Sequence, residues 1–175
     1  MMKLHPAPHT LSYNAFLEEF GGIYEHSPWV ASSVFNAGLS ADDADPAHIA
    51  SRMAAVVTAA DRPQQLALLR AHPQLAGKLA LAGTLTASST AEQAGAGLDQ
   101  CSQVELDEFQ ALNDRYTEKF GHPFIIAVRG LDRGQILAAF RQRVSNNTDS
   151  EFITAMAEVH KIGLMRLNQL AADAC

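Results

Sequence analysis

The stretch Gly121-His122-Pro123-Phe124-Ile125-Ile126-Ala127-Val128-Arg129-Gly130 decides the fold class. Phe124 to Val128 is short, apolar and rich in β-branched residues, and turn residues bound it on both sides, which is the pattern of a buried strand. It is the only such run in the chain. One strand has no sheet to join. The run therefore reads as an extended or irregular segment set among helices, and its backbone donors and acceptors need partners of another kind. A ligand is one such partner. His122 reads as the end of a helix and Arg129 as a surface charge.

Both flanks of this segment carry helical patterns. Upstream, Ser102 and Glu105 have capping-box spacing and open a helix that runs to Phe120. Its expected inner set is Val104, Leu106, Phe109, Leu112 and Tyr116, and Gly121 is its stop. Downstream, Leu131 to Val144 turns Ile136, Leu137, Phe140 and Val144 to one face. Asn146-Asn147 breaks that helix, and Thr148 with Glu151 reads as another capping box. The last helix then runs to about Ala172, with Ile153, Met156, Val159, Leu164 and Leu167 inside.

The first half repeats the pattern. A helix starts near Thr10 or Ser12, buries Leu11, Phe16, Leu17 and Phe20, and ends at Gly21-Gly22. Ser27-Pro28 reads as an N-cap followed by proline in the first turn, with Trp29, Val30 and Phe35 as core; Glu25 and His26 before the cap read as solvated, with lining a site as the alternative. Asp45-Pro46 opens a helix to about Ala60 around Ile49, Met53, Val56 and Val57. Asp61 and Pro63 open a shorter one carrying Leu66, Leu69 and Arg70. No repeat and no low-complexity linker divides the chain. The expectation is one all-α domain over residues 1–175, a bundle of roughly seven to nine helices.

Composition narrows the function. The 175 residues are 47% hydrophobic, ordinary for a globular chain long enough to bury a full core. A formal charge of −6 with no basic block argues against a nucleic-acid partner. No apolar run reaches membrane-spanning length. Cys101 and Cys175 form neither a metal motif nor a disulfide framework, which fits a reducing compartment. The first nine residues lack a signal-peptide apolar region, and the tail is not a peroxisomal Ser-Lys-Leu, so the expected location is the cytoplasm.

Two stretches carry candidate chemistry. Ala71-His72-Pro73-Gln74-Leu75-Ala76-Gly77-Lys78 puts a histidine where a helix stops, because Pro73 restricts the residue before it, and Gly77 offers a second turn. A ring fixed at such a corner either bonds a last-turn carbonyl or exchanges a proton near neutral pH. Ser89-Thr90-Ala91-Glu92-Gln93 has capping-box spacing between Ser89 and Glu92. A helix start also presents free amides suited to a polar or anionic ligand.

Taken in order, five stretches resemble the 2-oxo-4-hydroxy-4-carboxy-5-ureidoimidazoline (OHCU) decarboxylases. They are Phe20 to Val30, Ala71 to Lys78, Ser89 to Gln93, Phe120 to Arg129 and Glu158 to Leu167. The resemblance implies an all-α, cofactor-free, metal-free carboxy-lyase that forms (S)-allantoin at the end of urate breakdown, commonly as a homodimer. It implies that His72 is the catalytic proton donor, with Glu92 beside it. It implies substrate contacts from Pro73, from Ser89, Thr90, Ala91, Glu92 and Gln93, from Phe124, Ile125, Ile126, Ala127 and Val128, and from Arg166.

Two other readings stand beside it. One is a metal-dependent hydrolase drawing on His72, Glu92, His122 or His160, whose spacings match no zinc motif. The other is a non-catalytic helical interaction module, which predicts a large exposed apolar face.

Overall fold

A computed structural model describes residues 2–174. Among them there is no strand. The α-helices are α1 (Tyr13–Phe20), α2 (Trp29–Asn36), α3 (Pro46–Ala59), α4 (Arg62–Arg70), α5 (Lys78–Leu81), α6 (Ala87–Gly95), α7 (Gln103–Phe120), α8 (Arg133–Arg143) and α9 (Thr148–Asp173). The all-α expectation holds, and Phe124 to Val128 carries neither helix nor ladder. None of these helices is long and apolar enough to cross a membrane. The chain divides into two compact units, one made of residues up to Ala71 with those from His160 onward, the other of His72–Val159.

In the first unit the caps follow local chemistry. Ser12 accepts the Ala15 amide at 3.3 Å, Asp45 the Ala47 amide at 2.8 Å and Asp61 the Gln64 amide at 2.8 Å. Each cap satisfies a donor that a helix start leaves orphaned. Phe16, Phe20, Ile49, Met53 and Val57 form the core, while Leu11, Leu17, Val56, Trp29 and Phe35 are half-buried. Ser27 does not cap α2: its hydroxyl donates to the Glu25 carbonyl at 3.0 Å. His26 is exposed as expected, but Glu25 is 2% exposed, against the solvated reading. Arg166 is the reason, since its Nη1 donates to Glu25 Oε2 at 2.8 Å and to the carbonyls of Gly22 and Ile23 at 3.3 and 3.4 Å.

Near that pair, the Tyr24 hydroxyl lies 2.9 Å from His160 Nδ1. Burial pushes the Tyr24 phenol up and the His160 imidazole down. Both shifts favour the neutral form of each partner. Unfolded histidine titrates near about 6.5. As pH falls through that value the unfolded chain takes the proton first, so this contribution to stability is present above it and fades below. The melting temperature of the wild type is expected to fall more steeply between about pH 7 and 5.5 than that of His160→Gln. Parallel slopes in a thermal-melt series would refute the coupling.

In the second unit Ser102 and Glu105 make the expected reciprocal box, at 3.3 and 2.8 Å, and Gly121 ends α7 in the left-handed conformation with φ 74°. The core joins Phe109, Tyr116 and Phe120 of α7 to Phe124, Val128, Ile136, Leu137, Phe140 and Val144. Phe124 stacks on Phe140 with centroids 3.9 Å apart. Val104 is 77% exposed, not inner. The buried stripe of α7 is Phe109, Asn113, Tyr116 and Phe120, and at about 100° per residue Val104 falls well round from it. Ile153, 69% exposed, likewise lies one residue past the stripe Phe152, Ala155, Met156 and Val159. Thr148 and Glu151 form no capping box. Asn147 Oδ1 accepts the Ser150 amide at 2.8 Å, and the Glu151 carboxylate is taken up elsewhere in the core. An unforeseen box, Asp132 with Gln135, opens α8.

Candidate active site

α4 stops at Arg70, Ala71 closes it, and His72 follows in a bend, 8% exposed, with Pro73 half-buried behind it. The loop beyond is tied down by side chains. Gln93 Oε1 accepts the Ala76 amide at 3.0 Å, and Gln93 Nε2 donates to the Gln74 carbonyl at 3.3 Å. Asn113 Nδ2 donates to the Leu75 carbonyl at 3.0 Å. Leu75 and Ala76 sink into the same apolar cluster as Phe124 and Val128. The left-handed turn falls at Ala76, φ 47°, and not at Gly77, which is extended at φ −86°. Gly77 is needed for room instead: a Cβ there would stand 2.7 Å from the Gln74 Cβ. A non-glycine residue in the left-handed region is costly and persists only where its surroundings hold it, as Gln93 and the core do here.

The second stretch lies on α6, but not at its cap. Thr86 Oγ1 accepts the Ser89 amide at 3.3 Å, so the helix starts at Ala87 and Ser89 sits in its first turn. The Ser89–Glu92 capping box does not form, because Thr86, three residues earlier, takes the cap. Ser89 and Gln93 are buried, Glu92 is half-buried, and Thr90 and Ala91 are exposed. The Thr90 hydroxyl donates to the Thr86 carbonyl at 2.9 Å. Glu92 is therefore not half of a capping box. The Gln93 amide serves the His72 loop.

The third stretch finds its backbone partners in side chains. Arg143 Nη1 donates to the Ile125 carbonyl at 2.7 Å, and the Ala127 amide donates to Glu158 Oε2 at 2.7 Å. The Arg143 guanidinium also lies 4.5 Å from the Phe124 ring centroid. Glu151, fully buried, pairs with Arg143 at 2.6 Å and accepts the Tyr116 hydroxyl at 2.5 Å and Asn146 Nδ2 at 3.0 Å. Phe124, Ile125, Ala127 and Val128 are buried and Ile126 is half-buried.

One unit thus holds the His72 loop, α6 and the Phe124–Val128 segment, with Gln93 linking the first two and the apolar cluster linking the first and third. Arg166 belongs to the other unit, where Glu25 balances its charge. Among the described residues no three histidine, cysteine, aspartate or glutamate side chains are grouped to hold a metal ion, so His72, Glu92, His122 and His160 do not form such a set. The bonds of Asn113, Arg143 and Glu158 to backbone were not read from the sequence, and Glu151 was read only as half of a capping box. Asn113 alone left a signal, a polar residue on the stripe of Phe109 and Tyr116.

A family model described as OHCU decarboxylase matches residues 9–168. The 2-oxo-4-hydroxy-4-carboxy-5-ureidoimidazoline decarboxylase of Haloferax volcanii is 42% identical over 157 residues, covering 90% of this chain and 89% of its own. That of Halalkalicoccus jeotgali is 39% identical, covering 89% and 84%. A crystal structure of (S)-allantoin synthase superposes with a TM-score of 0.73 at 31% identity, over 93% of this chain and 52% of the other. The chain belongs to the OHCU decarboxylase family.

Proposed function

We propose a residue-level account of the reaction this carboxy-lyase of urate degradation carries out, the decarboxylation of OHCU to allantoin. In OHCU one ring carbon carries both the hydroxyl and the carboxylate. Breaking its bond to the carboxylate releases carbon dioxide and leaves an electron pair, which delocalises into the adjacent ring carbon–nitrogen system. With that sink in the substrate, the protein's tasks are to orient the carboxylate, stabilise developing charge and deliver one proton to one face.

His72 delivers the proton. The observation that carries this assignment is its mounting: a titratable ring at a buried bend, on a loop that Gln93 and Asn113 pin at three backbone atoms. Pro73 fixes the ring's approach. Glu92 and the Ser89–Gln93 face of α6 take the ureido group, and the Phe124–Val128 backbone takes the ring carbonyl and nitrogens. One-sided protonation makes the product (S)-allantoin. Residues 1–175 act as one catalytic domain without a cofactor, two copies pair, and the enzyme works in the cytoplasm. Light scattering at twice the chain mass is the expected sign of the pair.

The test of the reaction is to add the protein to freshly generated OHCU and follow carbon dioxide release. It is expected to exceed spontaneous decay many-fold, and release at the background rate would contradict the account. The test of Glu92 is Glu92→Gln, which keeps shape and hydrogen bonding but removes charge. Turnover is expected to fall by about tenfold or more, within the range of a lost charged contact, while the melting temperature barely moves. Full activity in that variant would remove the carboxylate from the mechanism.

A further inference from the structure

The Phe124–Val128 segment has no neighbouring strand, yet it is held as though it had one. Ile125 offers its carbonyl to Arg143, and Ala127 offers its amide to Glu158. Both contacts fall on residues of the same parity. In an extended chain residues two apart direct their backbone groups to the same edge. Two side chains from different helices, α8 and α9, thereby take backbone groups of alternate residues of the segment.

The two holders are themselves held. Arg143 is 8% exposed and braced by Glu151, which also takes the Tyr116 hydroxyl and Asn146. Glu158 sits within α9, whose Val159 and Ala155 are buried in the core to either side of it. Ile125 and Ala127 are buried, so their backbone groups need partners from the protein, and two charged side chains supply them. What the pair adds is register. An amide bond to a carboxylate is directional and strong, and so is a carbonyl bond from a guanidinium.

We propose that Glu158 and Arg143 are positioning residues for substrate: they fix the Phe124–Val128 backbone in the register that lets its remaining groups bond the substrate ring. This rests on the reading that the segment binds substrate. Neither residue touches the reacting atoms. Each acts through the segment, so its loss weakens binding of ground state and transition state alike, and appears in KM more than in kcat.

The experiment is steady-state kinetics of Glu158→Ala, Glu158→Gln and Glu158→Asp, with hydrogen exchange at the Ala127 amide. Glu158→Ala is expected to raise KM about tenfold, to change kcat less than about threefold, and to speed exchange at Ala127. Glu158→Gln still offers an acceptor oxygen and is expected to restore most of the affinity. Glu158→Asp, one methylene short, is expected between the two, and it carries the test if the alanine variant does not fold. Unchanged KM with faster exchange at Ala127 overturns the reading that the segment binds substrate, and the proposal with it. Unchanged KM and unchanged exchange overturn the proposal alone. A KM that rises equally in the alanine and glutamine variants points to the charge of Glu158 rather than its bond to Ala127, and overturns the positioning role.

Discussion

Replacing His72 by asparagine is expected to cut turnover by about 10²-fold or more, the usual worth of a well-placed general acid. Asparagine keeps a polar side chain of similar reach but exchanges no proton near neutral pH. The loop should survive the change, because the bonds that fix it come from Gln93 and Asn113 to the backbone of Gln74, Leu75 and Ala76. A melting temperature within a few degrees of wild type is therefore part of the expectation, corresponding to about 1 kcal/mol or less. A variant that loses activity by unfolding would show both effects together. Disabling the loop instead, through Gln93→Ala, should lower both stability and turnover, since it leaves the Ala76 amide without its partner in a buried setting.

The largest effect on stability is expected at Glu151. Its carboxylate is fully buried and serves Arg143, Tyr116 and Asn146 at once. Burial, with Glu151 beside it, pushes the Tyr116 phenol up, so that group stays a donor throughout the working range. Glu151→Ala leaves a guanidinium and a phenol in the core without their acceptor. Breaking a buried pair from one side costs about 3–5 kcal/mol, because the remaining charge is stranded. For a chain of this length that corresponds to a melting temperature lower by roughly 6–20 °C. Glu151→Gln retains an acceptor and should cost less. Denaturant midpoints that coincide for all three proteins would show that the network contributes nothing net.

The helices were legible because caps are local. Ser12, Asp45, Asp61 and Ser102 each have their amide partner two or three residues away, so the chain itself displays both halves of the bond. The failed caps share one cause. Ser27, Ser89 and Thr148 have the right spacing, but a neighbour or a distant group wins the competition. Thr86 takes the α6 cap, Asn147 takes that of α9, and Glu151 leaves the helix start for a buried cation. The bend at His72 was legible through Pro73. Arg143 and Glu158 were not, since their backbone partners lie 18 and 31 residues away and a charged residue on a helix reads as solvated. Glu25 was misread for the same reason, its partner Arg166 being 141 residues distant.

The claim that His72 delivers the proton from one face is tested most directly by the chirality of the product. OHCU also decays unaided, and that background gives racemic allantoin, so rate alone is an incomplete readout. Circular dichroism of allantoin formed by wild type and by His72→Asn, followed from the moment OHCU is supplied, separates the two routes. The account predicts a rapid (S)-allantoin signal from the wild type, and from the folded variant no signal above racemic product formed at the background rate. A folded His72→Asn protein that yields (S)-allantoin at wild-type speed would contradict it.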